Sequence, residues 1–148
     1  MKKNLTYIAF ALIIALAFTA CTKSVTTTSY SMTALVGSTP VAFDNSAVSV
    51  VEKPVTGVNT FVIEGMNNES NYPYINIYVP LNSVGVYTIG GYGTSVFATY
   101  AVDTLTTKYS GGGLVEVDSL TPRTVGVYTF TCTDGTVIIG AFHAKPLN

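Results

Sequence analysis

The pentapeptide Val-Gly-Val-Tyr-Thr occurs twice in this chain, at residues 84–88 and again at residues 125–129. Each copy follows an apolar run, residues 75–81 or 114–120, and precedes a turn and a second run, residues 96–102 or 137–144. Valine, tyrosine and threonine suit a pleated, half-buried surface, and glycine and polar residues punctuate it. The pattern predicts a three-stranded meander used twice, with the remaining strands packed on it.

Composition bounds what such a scaffold can be. The 148 residues suffice for one domain, with 48% hydrophobic residues, only 10% charged and a net charge of -1. Nucleic-acid binding needs clustered Lys and Arg to displace counterions, and this chain has no such cluster. Nucleic acid is therefore not expected as a partner.

Residues 1–20 read as an export leader: Lys2 and Lys3 precede an almost wholly apolar run, residues 5–18, and then Thr19, Ala20 and Cys21. That run is shorter than the roughly 20 residues needed to span a bilayer, so a processed leader is expected. The placement of Cys21 resembles a bacterial lipobox, with Phe18 where Leu is usual. The resemblance implies lipidation of Cys21, cleavage before it and attachment to an outer membrane. Residues 21–29, rich in Thr and Ser, are expected to be a flexible tether, and residues 30–148 a single all-β domain.

Along that domain, strands are expected at residues 30–36, 41–43, 47–51, 60–64, 74–79, in both repeat units, and at 137–144. The turns lie at Gly37–Pro40, Asp44–Ser46, Gly90–Gly93, Gly111–Gly113 and Asp134-Gly135. The last pair favours a primed two-residue hairpin turn. Roughly ten short strands without helical periodicity predict an antiparallel β-sandwich or a partly closed barrel. Alternation places Tyr128, Phe130 and Cys132 on one face, with Tyr87 and Ile89 on the equivalent face of the first copy. Each tyrosine hydroxyl then needs a partner. The last strand is apolar at both parities, which predicts cover on both sides. Cys132 has no cation in its hairpin register and reads as a small core residue.

The segments 126–130 and 140–142, after the lipobox, resemble a family of small uncharacterised lipoproteins of Bacteroides-type bacteria. Phe43 stands for an early aromatic of that family, and Ile139 stands where it usually has Asn. The resemblance implies an envelope location and an all-β fold, and it brings no catalytic residues. Relatives that reach the outer surface commonly carry acids after the lipidated Cys. Here residues 22–25 carry none, which implies the periplasmic leaflet over the surface.

Chemistry leaves few candidates. One histidine, His143, and one remaining cysteine cannot assemble a zinc set, and neither a metal nor a cofactor is expected. Glu116 and Asp118 share one strand face and read as a solvated acidic pair. His143 lacks a neighbouring nucleophile, and Gly91–Val96 lacks the following helix that a phosphate loop needs. Tyr72, Tyr74 and Tyr92 fall in or beside loops near several Asn residues and are the candidate ligand-binding residues. The expected function is a non-enzymatic binding module in the cell envelope, touching a glycan or another envelope protein. The alternatives are a glycan hydrolase built from two converging acids and a barrel that carries an apolar ligand in its mouth.

Overall fold

The computed structural model describes residues 30–52, 59–67 and 72–147. The expected leader, Cys21 and the tether to residue 29 lie outside these residues, as do residues 68–71 of the polar loop. The described residues form ten strands and no helix: β1 (Ser31–Val36), β2 (Thr39–Phe43), β3 (Asn45–Glu52), β4 (Asn59–Met66), β5 (Tyr74–Val79), β6 (Gly85–Ile89), β7 (Phe97–Ala101), β8 (Thr107–Ser119), β9 (Thr124–Cys132) and β10 (Val137–Ala144). All pairs between these strands are antiparallel, in the order β2-β1-β10-β9-β8-β7-β5-β4-β3, with β6 added to β8. The all-β sandwich or partly closed barrel expected from the sequence is what forms.

Two corners turn this ladder into two layers. One is β8, whose 13 residues serve both layers. Its first residues pair with β7 and its later ones, from Gly113 to Val117, pair with β6. Gly113 has φ 153°, and a side chain there would collide with Phe130 on β9, so only glycine lets the strands approach this closely. The other corner is Lys145. Its amide donates to Ser46 O at 3.0 Å and its carbonyl accepts from Val48 N at 2.9 Å, which joins β3 to the end of β10.

The first repeat unit departs from the expected meander. β5 pairs directly with β7, while β6 leaves them and pairs with β8. The second unit, β8-β9-β10, is a true meander. The repeat nevertheless has a structural meaning, because the two copies flank β8 in one register. Gly85 and Gly126 both stand opposite Val117, Val86 and Val127 opposite Glu116, Tyr87 and Tyr128 opposite Val115, and Thr88 and Thr129 opposite Leu114. The pentapeptide specifies a strand with one inward tyrosine. The 13 residues of β8 give both copies an edge to pair with.

The interior follows the alternation. Tyr128, Phe130 and Cys132 face inward with Val115, Val117, Ile138 and Phe142, and Ile63, Ile75, Ile77 and Val79 oppose them from the second layer. Burying each of these larger side chains contributes about 1.5–3 kcal/mol. Met32 fits against Gly65, where a Cβ would strike the methionine side chain. Among the described residues, all of this core lies between Met32 and Ala144.

Two further expectations are corrected. β10 is central in the ladder, but it is covered on one face only: Ile138, Phe142 and Ala144 are buried while Val137 and Ile139 are exposed. Its apolar outer residues belong to a surface, described below. The β9–β10 hairpin closes through Cys132 N–H to Thr136 O (2.8 Å), which leaves a three-residue loop instead of a two-residue primed turn. Gly135 takes φ 85° in it, the left-handed position such a loop requires.

Candidate functional site

Along β5, Ile75, Ile77 and Val79 point into the core, so Tyr74, Asn76 and Tyr78 share the outer face. Cross-strand register places Glu64 of β4 beside Asn76, and Phe97 of β7 beside Tyr78. The Tyr78 and Phe97 rings stack at 4.1 Å with an interplanar angle of 9°. Tyr92, carried on the β6–β7 turn, stands edge-on to Phe97 at 5.4 Å and to Tyr109 of β8 at 4.9 Å. Tyr72 packs against Tyr74 at 5.3 Å.

The three tyrosines expected at a site thus fall into two groups along one face, Tyr72 and Tyr74 in direct contact at one end and Tyr92 joined to Tyr78 through Phe97 at the other. Burial raises the Tyr78 phenol; a hydrogen bond to Asn76 opposes the rise, and Tyr74, Glu64 and Tyr92 are near enough to reinforce it. Asn76, with its amide oriented to suit its neighbours, donates from Nδ2 to Glu64 Oε2 and to Ile75 O, each at 3.1 Å. The Glu64 carboxyl lies above its ordinary value because it is partly desolvated. The result is an aromatic surface with one carboxylate and one amide set into it. Tyr74 and Tyr78 are four residues apart, about 13 Å along the strand.

Sequence reasoning missed Tyr78, Asn76, Glu64 and Tyr109. The signal was present in the period-two alternation of β5, which separates Tyr74, Asn76 and Tyr78 from the apolar parity.

The turn bearing Tyr92 is held from below. Ser110 Oγ donates to Gly90 O at 2.6 Å and accepts from Ala98 N–H at 2.9 Å. Thr94 Oγ1 lies within hydrogen-bonding distance of both Gly91 O (2.8 Å) and Val96 O (2.7 Å), and Gly90 N–H donates to Val96 O at 2.9 Å. Tyr92 itself is 57% exposed on this braced turn.

A second surface lies on the outer face of the other layer. Leu35, Ile139, Thr129 and Leu114 form one cross-strand row, and Thr33, Ala141, Val127, Glu116 and Val86 form the next. Between them is an open groove of about 670 Å³. A smaller hollow, about 190 Å³, lies beside Val48, Phe61 and Leu81.

The remaining candidates are placed simply. Glu116 and Asp118 are both exposed and alternate with the buried Val115 and Val117. His143 is exposed on the outer parity of β10. Among the described residues, no three His, Cys, Asp or Glu side chains converge as a metal set. Cys132 is free and buried, and burial pushes its thiol up to about 11. Compared with protein-family models, with curated proteins and with solved structures, the chain matches none of them.

Proposed function

We propose that the protein is an outer-membrane lipoprotein, cut before Cys21 and held on the periplasmic leaflet, whose β domain is a non-enzymatic binding module for a glycan. The observation that carries the binding reading is the shared outer face of β5, where Tyr74 and Tyr78 flank the Asn76–Glu64 pair and Tyr92 extends the aromatic surface through Phe97. Tyrosine faces take the C–H faces of a sugar ring, while a carboxylate and an amide between them take its hydroxyls. A hydrolase would need two acids across one cleft; among the described residues the groove is lined by one carboxylate, Glu116, and Glu64 is the one carboxylate paired with Asn76 on the aromatic face.

The test is a glycan binding screen of residues 22–148, repeated with Tyr74→Ala and Tyr92→Ala. Both positions lie outside the core, so the fold is retained while affinity falls about ten-fold or more, the loss of roughly 1.4 kcal/mol. Binding unchanged by both substitutions removes this surface. Cys21→Ser tests the anchor separately: the protein leaves the membrane fraction if the lipid holds it there, since an acylated terminus is what provides stable attachment.

A further inference from the structure

The groove on the opposite layer is unrelated to the aromatic face, and the repeat builds its floor. Val86 and Val127, the same position in the two pentapeptides, flank Glu116 from β6 and β9. A carboxylate between two valines in one cross-strand row is an unusual neighbour for a surface this apolar. Val86 is 61% exposed, Val127 47%, Ile139 51% and Leu35 42%, so the row stands open to solvent. Among the described residues Glu116 is the one charged residue lining the groove; the other polar groups there are threonines, backbone and the Tyr128 hydroxyl, which is engaged with Thr33 O.

We infer that this groove binds an amphiphile with a single apolar tail and an ammonium-bearing head. Three features select that occupant. The volume of about 670 Å³ falls within the roughly 300–1,000 Å³ of small-ligand sites. The lining is apolar, which suits a hydrocarbon tail and offers a sugar little. The lone charge is negative, so an ammonium head finds a partner and an anionic head meets repulsion. The head sits at Glu116 on β8 and the tail crosses β9 and β10 to Leu35 on β1. That is three strand spacings, about 14 Å, so a tail of about a dozen carbons covers it.

The test uses residues 22–148, which contain the whole described core, and two probes at monomeric concentrations: dodecyltrimethylammonium and dodecyl sulfate. The expected result is binding of the cationic probe at least ten-fold tighter than the anionic one. Ile139→Asp abolishes binding of the cationic probe, and Glu116→Lys reverses the preference. Both side chains are exposed, so strand content by circular dichroism is retained. Binding of neither probe, equal binding of both, or binding indifferent to Ile139→Asp overturns the inference. So does concentration-dependent dimerisation that Ile139→Asp abolishes in a protein that takes up no probe, since the face is then a contact between two copies. Glycan binding is read in the same two variants and stays unchanged, which keeps this inference separate from the reading of the aromatic face.

Discussion

Tyr87 and Tyr128 stand opposite the same residue, Val115, from the two sides of β8. Their surroundings differ despite identical sequence. Tyr128 is buried, its ring stacks with Phe130 and Phe142, and its hydroxyl donates to Thr33 O at 3.0 Å on β1. Tyr87 is half-buried, and its hydroxyl donates locally to Ser83 O. One hydroxyl ties three strands together, and the other closes a turn.

Replacing each tyrosine by phenylalanine separates these roles. Tyr128→Phe costs about 1 kcal/mol in denaturant unfolding, because it removes the bond by which the buried Tyr128 holds Thr33 O across β10. Tyr87→Phe costs less than about 0.5 kcal/mol, because water replaces the lost partner. Equal costs would mean that the Tyr128 bond adds nothing to the stability of the β1–β10–β9 stack.

Gly140 makes room for that bond. A Cβ there would collide with Thr33 O and with the Tyr128 ring, whereas at Gly111 the nearest atom, Thr131 O, is an ordinary 3.6 Å away. Gly140→Ala is expected to destabilise by about 1–3 kcal/mol through overpacking. Gly111→Ala stays within about 0.5 kcal/mol. Thermal unfolding of the two variants side by side reads the difference.

Much of the fold was legible because period-two alternation is a local signal. Tyr128, Phe130 and Cys132 point inward because neighbouring side chains on a strand must leave opposite faces. Partner choice was not legible, because it is set by distant residues. Nothing within residues 84–88 says that β6 will pass β5 and join β8. The apolar outer parity of β10 misled for a related reason: Ile139 and Val137 look like core residues in sequence, and only the layer arrangement exposes them. Tyr72, Tyr74 and Tyr92 were legible as aromatics near loops. Glu64 was not, because cross-strand register alone brings it beside Asn76.

Acid should expose the tie between β8 and the β9–β10 hairpin. Lys108 Nζ lies 2.8 Å from Asp134 Oδ2, and its hydrogen bond, followed by that from Thr136 N–H, holds the Asp134 carboxyl down to about 2. A depressed carboxylate stabilises the fold above its ordinary value of 3.8, and that stabilisation is lost as pH falls toward 2. The melting temperature of the wild type should exceed that of Asp134→Asn above this window and converge with it below. Both groups of the pair are partly exposed, so the gap is small and shrinks with added salt. A gap that persists at the acid end would assign the effect to something other than this charge.

Cys132 should be silent in the folded protein. Its thiol is buried and pushed up to about 11, chiefly by burial and then by Asp134, so almost none is thiolate near neutrality. At about pH 8 a thiol-specific reagent is expected to label the unfolded chain and spare the native one. Rapid native labelling would mean that the β9–β10 hairpin opens far more often than its position in the core allows.

Ser110 links the core to the proposed glycan surface. It is fully buried on β8, and its hydroxyl serves two strands, donating to Gly90 O where β6 ends and accepting from Ala98 N–H on β7. Removing it leaves a buried amide without that acceptor, a loss of about 1–3 kcal/mol. The loss is local, because the Ala98 side of β7 keeps its ladder with β5 while the turn bearing Tyr92 loses its brace. Ser110→Ala is therefore expected to weaken glycan binding several-fold, to speed hydrogen exchange at Ala98, and to leave the Tyr72–Tyr74 pair in place. Ser110→Thr keeps a hydroxyl and recovers part of the affinity. A Ser110→Ala protein that loses stability yet binds as the wild type does would show that Tyr92 needs no support from β8.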